Sequence, residues 1–108
     1  MAAGDDFARV GEPGQPYFRL RPGEDGISVF DLEFVDPPLT DDEILAGFRP
    51  GSSLVIRSKE AISSAGLQVV PAPGADALTA RLQLAHAEIR PGPGMTRRQF
   101  KDALRSLE

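Results

Sequence analysis

Cysteine is absent from this sequence, and histidine occurs only once among its 108 residues. Without cysteine the chain cannot form disulfides, thiolate metal sites or a cysteine nucleophile. A single histidine also makes a transition-metal site a poor expectation. No segment approaches the roughly 20 apolar residues that span a bilayer, and the N-terminus lacks the charged and apolar regions of a signal peptide. We therefore expect a chain that folds in the cytoplasm, although a specialised secretion system could export it without a cleaved signal.

Basic residues are too few and too scattered for a surface that follows nucleic-acid phosphates. Lysine and arginine number 12 against 16 aspartates and glutamates, which gives a net charge of −4 and a pI near 4.9. Nucleic-acid affinity rests largely on neutralised phosphates, so a nucleic-acid partner is not expected. The length suits one domain. Ten prolines and eleven glycines predict short elements joined by turns.

The N-terminal third predicts an irregular arm followed by two strands. Residues 1–16 are rich in glycine, proline and aspartate, which indicates a flexible leader, and residues 17–108 form the single predicted domain. Tyr17–Leu20 predicts the first strand and Ile27–Phe30 the second. The proline and glycines between them are typical of turns.

Two capping-box spacings predict helices in the rest of the chain. Thr40, with Glu43 three residues on, predicts a short helix over 41–48, and Thr96 predicts a C-terminal amphipathic helix. Ser53–Arg57 is the clearest strand, and its β-branched run predicts a central place in the sheet. A short helix and a further strand follow it, over 58–66 and 67–70.

The segment Arg81–Pro91 carries the only histidine and an apolar alternation. As a strand, it would direct alternate side chains to one face. These are Leu82, Leu84, His86 and Glu88. The alternative is a helix over the first four residues, with the strand beginning near Ala85. Periodicity leaves open whether the face with His86 and Glu88 lines a cleft or a solvated rim.

Without family knowledge, the functional candidates are few, and none forms a specific motif. They are Ser28 with Asp31, His86 with Glu88, and the arginines Arg19, Arg81 and Arg90. No serine lies in a Gly-x-Ser-x-Gly elbow, and no glycine-rich phosphate loop is present. Structural alternatives are a hydrogen-bonded His86, a Glu88 paired with Arg90 or Arg81, and a surface Arg19.

Two motifs in a fixed order carry a resemblance to a known family. Gly26-Ile27-Ser28-Val29-Phe30-Asp31 comes first, and Ala80-Arg81-Leu82-Gln83-x-x-His86-x-x-Ile89-x-Pro91-x-x-x-Met95 follows. Together they resemble a family of type VI secretion effector toxins with an ADP-ribosyltransferase-like fold. The resemblance covers roughly Tyr17 to Leu107. It implies a small α+β domain, with a mixed β-sheet, short helices and the closing C-terminal helix.

The resemblance implies NAD chemistry, in which the nicotinamide–ribose bond is cleaved and ADP-ribose passes to a macromolecular acceptor. Folds of this kind generally use an arginine or histidine on the first strand, a serine or tyrosine on the second, and a carboxylate or polar residue on a later one. Carried over, Arg19 would hold the phosphates or ribose and Ser28 would orient the nicotinamide ribose. Glu88 would stabilise the oxocarbenium-like cation, and His86 is the position tied to the family motif.

The implied catalytic set is therefore Ser28, His86 and Glu88, and the implied NAD-binding set is Arg19, Ser28 and His86. The implied partner is a cognate immunity protein. The alternative is a non-enzymatic interaction domain that keeps the fold without a working NAD cleft. The short connection between the first two predicted strands favours that alternative, since Leu20 and Gly26 are only six positions apart.

Overall fold

The computed structural model describes residues 6–74 and 78–108 as an α+β domain with one sheet and short helices. The elements in chain order are β1 (Asp6–Gly11), β2 (Ile27–Asp31), α1 (Asp41–Leu45), β3 (Ser53–Ser58), α2 (Lys59–Ser64), β4 (Gln68–Pro71), α3 (Ala80–Ala85), β5 (His86–Arg90) and α4 (Arg97–Arg105). The strands lie in the order β3-β1-β2-β5-β4. Every pairing in this sheet is antiparallel, so the α+β class is confirmed and the predicted mixed sheet is wrong.

Apolar side chains cover both faces of the sheet. On one face, Ile62 of α2 and Phe100 and Leu104 of α4 pack with strand residues that include Val29 and Ile89. On the other face, Ile44 of α1 and Leu82 and Ala85 of α3 pack against Ala8 and Phe30. Strands with a buried residue at nearly every position, such as β2, follow from this two-sided cover.

Both predicted helix starts are confirmed by cap geometry. The Thr40 hydroxyl accepts from the Glu43 amide, while the Glu43 side chain turns to Arg81 instead of returning to the cap. At Thr96 both bonds of the capping box with Gln99 are present. Each bond satisfies an amide that the first helical turn leaves without a partner.

The N-terminal arm was predicted wrongly over Asp6–Gly11, which forms β1. This strand pairs with β3 along all six residues, and Phe7 is buried in the core. The predicted leader also includes residues 1–5, which lie outside the described residues. Conversely, Tyr17–Leu20 is not a strand, because the amides of Tyr17 and Phe18 donate to the Glu108 carboxylate and not to a neighbouring strand.

The segment with the histidine divides between a helix and a strand. Residues 80–85 are helical, with Leu82 buried and Leu84 more than half exposed, so the alternation over Arg81–Leu84 does not belong to a sheet. The strand begins at His86. His86 and Glu88 are therefore the two residues of the predicted row that share a strand face.

The strand over Ser53–Ser58 forms as predicted but lies at the edge of the sheet, not at its centre. The other edge is β4. Within residues 6–74 and 78–108, no helix has the length and apolar character needed to cross a membrane.

Candidate functional site

The first two strands diverge, and a cavity lies where they separate. β1 pairs with β2 only at Phe7 and Ala8, although the two strands are six and five residues long. The cavity holds about 250 Å³ and is lined by Arg9, Val10 and Gly11 of β1 and by Ser28 of β2. Main-chain groups freed by the divergence must find other partners or water.

Arg9 supplies one of those partners, for the Ser28 carbonyl, and also binds the Tyr17 carbonyl outside the sheet. Its Nη1 donates to the Ser28 carbonyl at 3.0 Å and its Nε donates to the Tyr17 carbonyl at 2.7 Å. Burial lowers the pKa of Arg9, and the negative charge of Glu24 partly opposes that shift. The guanidinium still carries its charge at neutral pH, because its ordinary pKa is so high. In the described part of the chain, no carboxylate oxygen lies within 4.0 Å of it.

More guanidinium groups than carboxylates line this cavity. The charged residues are Arg9, Arg19, Arg21 and Arg49 against Glu12 and Glu24. Arg19 donates to Gln15 at 3.3 Å, while Arg21 and Glu12 form a loose pair at 4.0 Å between largely exposed side chains. The cavity therefore carries excess positive charge in a chain whose net charge is negative, and planar guanidinium groups suit phosphate oxygens.

Ser28 and Glu88 are direct cross-strand partners on β2 and β5. Residues paired in this way hold their Cβ atoms roughly 4.5–5.5 Å apart. The Glu88 carboxylate is already bound, since its Oε1 accepts from Arg90 Nη2 at 2.7 Å and from Arg90 Nε at 3.0 Å. The Arg90 ion pair, which was the structural alternative for Glu88, is therefore present.

His86 lies at the other end of the same strand face and lines a different cavity. It is the cross-strand partner of Phe30, and the two rings meet edge to face at 5.7 Å. Its Nδ1 lies 2.6 Å from the Ala72 carbonyl, so Nδ1 carries the proton and donates it, which fixes the tautomer. The second cavity holds about 300 Å³ and has mainly apolar walls, including Phe7 and Leu67.

The structure thus brings Arg19 and Ser28 to one cavity and sets Glu88 beside Ser28. His86 is two residues from Glu88 on the same strand face but lines the second cavity. Sequence reasoning missed Arg9, because its strand was read as part of the leader. The signal that could have found it is the short run Phe7-Ala8-Arg9-Val10, in which apolar residues flank an arginine before Gly11.

The described residues contain no group of three or more histidine, aspartate and glutamate side chains that could hold a metal ion. No protein-family model matches the chain, and neither a curated protein nor a solved structure matches it significantly.

Proposed function

We propose that the chain is an NAD-dependent ADP-ribosyltransferase-like toxin domain that is neutralised by a cognate immunity protein. The observation that carries the proposal is the order of polar groups across three neighbouring strands. Arg9 lies on β1, Ser28 on β2 and Glu88 on β5, and these strands are adjacent in the sheet. The Ser28 and Glu88 side chains share the sheet face of Phe30, and Arg9 reaches into the gap between β1 and β2 from the face of Phe7. This order agrees with the general pattern of arginine, serine and carboxylate that the sequence resemblance implies.

Each position has a chemistry that suits NAD. The arginines of the first cavity would bind the pyrophosphate, since a guanidinium donates two parallel hydrogen bonds to phosphate oxygens. The Ser28 hydroxyl would orient the nicotinamide ribose. As the bond to nicotinamide breaks, positive charge develops on the ribose, and a carboxylate beside it lowers the energy of that state. Glu88 is the carboxylate next to Ser28.

Two observations favour the alternative of a non-enzymatic interaction domain. A volume of about 250 Å³ is smaller than the roughly 300–1,000 Å³ of most ligand sites. In addition, Arg90 binds the Glu88 carboxylate, so catalysis would require Glu88 to exchange that partner for the substrate.

Release of nicotinamide from NAD by the purified chain tests the proposal. We expect release by the natural chain and its loss in Ser28→Ala and Glu88→Gln. The matched controls are Ser64→Ala and Glu60→Gln, which change exposed residues of α2 outside both cavities. Absence of release from the natural chain, with or without an added cell lysate, would contradict the enzymatic proposal.

Saturation-transfer NMR with NAD then separates the two candidate functions. If NAD binds but no nicotinamide is released, the chain has an NAD-binding cleft without the proposed transferase reaction. If no contact is seen at millimolar NAD, the non-enzymatic interaction domain is favoured. Expression in bacteria adds a second readout, because a toxin slows growth and Ser28→Ala restores it. If the natural chain is harmless, the toxin assignment fails.

A further inference from the structure

The outer edge of β3 presents main-chain hydrogen-bonding groups that no other strand in the described chain pairs. The Asp6 carbonyl accepts from Leu32 on the β2 side of β1. Because alternate residues of a strand direct their N–H and C=O groups to opposite sides, the residues of β3 that bond to β1 are Ser53, Val55 and Arg57. Leu54 and Ile56 therefore direct their main-chain groups outward.

The side chains at this edge agree with that direction. Arg57 Nη1 donates to the Ile56 carbonyl at 2.8 Å, which requires the carbonyl to point away from β1. The Ile56 side chain is 43% exposed. The Ile56 carbonyl thus has a side-chain partner, whereas the Ile56 N–H and both main-chain groups of Leu54 have no strand beside them, and an exposed isoleucine at such an edge is a template for addition of another strand.

The two edges of the sheet differ in protection. β4 is four residues long and ends at Pro71, which has no N–H to offer a further strand. β3 is six residues long, contains no proline, glycine or lysine, and pairs with β1 without a bulge. Its one charged residue, Arg57, covers only the Ile56 carbonyl on the outer edge. Its run Leu54-Val55-Ile56 has the composition of a strand flanked on both sides, although it is flanked on one.

We propose that β3 pairs antiparallel with β3 of a second copy of this chain, across a two-fold axis at Val55. Leu54 then lies opposite the other copy's Ile56, and each such pair exchanges both N–H···O bonds. Arg57 lies opposite the other copy's Ser53, so no like charges meet. In this register the Ile56 N–H and the main-chain groups of Leu54 gain partners, and the Ile56 carbonyl accepts from the other copy's Leu54 through its second lone pair, beside Arg57 Nη1. The interface is self-complementary, as a two-fold axis requires. This pairing explains why β3, which lies at the edge of the sheet in one copy, has the composition of a strand flanked on both sides.

Single-cysteine variants test the register directly, because the natural chain contains no cysteine. At the axis, Val55 and its counterpart form a non-hydrogen-bonded pair with Cα atoms about 4.5 Å apart, within the disulfide range. Oxidised Val55→Cys should run as a covalent dimer on a non-reducing gel. Ile56→Cys is the matched control and should remain a monomer, because the other copy's residue 56 lies two positions away along its strand, beyond disulfide reach.

Light scattering after size exclusion gives an independent readout of mass. The natural chain should have twice the monomer mass, and Ile56→Lys should lose the dimer because it brings a charge to the edge. Leu84→Lys, which charges an exposed leucine away from β3, should remain dimeric. Circular dichroism establishes that both variants are folded, and the Val55→Cys gel does not depend on either of them.

Three outcomes would overturn the inference. These are a monomeric natural chain over a wide concentration range, a dimer that Ile56→Lys leaves intact, and equal crosslinking of the two cysteine variants. A monomer that binds a different protein through β3 would assign the edge to another partner and would also reject the second copy. NAD chemistry plays no part in these results, so the inference stands or falls separately from the proposed function.

Discussion

Removal of the Arg9 guanidinium should lower the free energy of unfolding, because two hydrogen bonds to main-chain carbonyls are lost. Arg9→Met keeps an apolar stem of similar length and deletes the donors to the Tyr17 and Ser28 carbonyls. A hydrogen bond from a charged donor contributes about 1.5–3 kcal/mol. Two such bonds would contribute about 3–6 kcal/mol. The cavity is open to solvent, so water replaces part of each lost bond, and we expect a total loss of about 2–3 kcal/mol, below that sum.

Thermal unfolding followed by circular dichroism measures this loss. For a domain of this size, 1 kcal/mol corresponds to about 4 °C, so Arg9→Met should lower Tm by about 8–12 °C. The Tm of Arg9→Lys should lie between the Tm values of the natural chain and of Arg9→Met, because a single ammonium keeps the charge but cannot bridge both carbonyls in the planar geometry of a guanidinium. Arg98→Met is the control, since Arg98 is exposed on α4, and its Tm should change little.

The result that would refute this reasoning is a Tm for Arg9→Met within the scatter of the control. Arg9 would then fill the gap between β1 and β2 without stabilising it.

A second measurement concerns function. If the proposed NAD chemistry is correct, Arg9→Lys should also lower kcat/KM for nicotinamide release by about tenfold or more at a temperature where it is fully folded, because a bidentate phosphate contact is lost.

Two further predictions concern the helices and the turn before α4. The Arg81 hydrogen bond holds the pKa of Glu43 below its ordinary value of 4.5. This pair therefore stabilises the fold above that pH, and the stabilisation is lost as the pH falls through the lowered pKa. Glu43→Gln should make the free energy of unfolding less dependent on pH on the acid side, and an unchanged pH dependence would contradict the assignment. Gly92→Ala should lower the free energy of unfolding by about 1–3 kcal/mol or more in urea titrations, because the new Cβ would lie 2.1 Å from the Gly66 carbonyl oxygen. Pro93→Ala, at the exposed neighbouring position, is its control, and equal losses would remove the steric explanation.

Local side-chain chemistry predicted the helix ends because the partners of a cap lie three residues apart. Thr40 and Thr96 each accept a hydrogen bond from the amide three positions on, and both lie within the reach of a sequence pattern. The same pattern could not predict that the Glu43 side chain would bind Arg81, 38 residues away. The cap was therefore predictable and the ion pair was not.

The errors at the N-terminus have the same physical origin. Tyr17–Leu20 has the aromatic and apolar content of a strand, but its first amides are bound by Glu108, about 90 residues away in the chain. Asp6–Gly11 has less apolar content and is a strand because β3 pairs with its whole length. Strand formation depends on such neighbours more than on intrinsic preference, so composition favoured the wrong segment.

This correction changes which residue the NAD hypothesis depends on. The general pattern asks for an arginine on the first strand, and Arg19 met it only while Tyr17–Leu20 was taken as that strand. With β1 at Asp6–Gly11, the arginine on the first strand is Arg9, which donates directly to the main chain at Ser28. Arg19 lies on the cavity wall outside the sheet, and the hypothesis is therefore better tested at Arg9 than at the arginine that the sequence alone suggested.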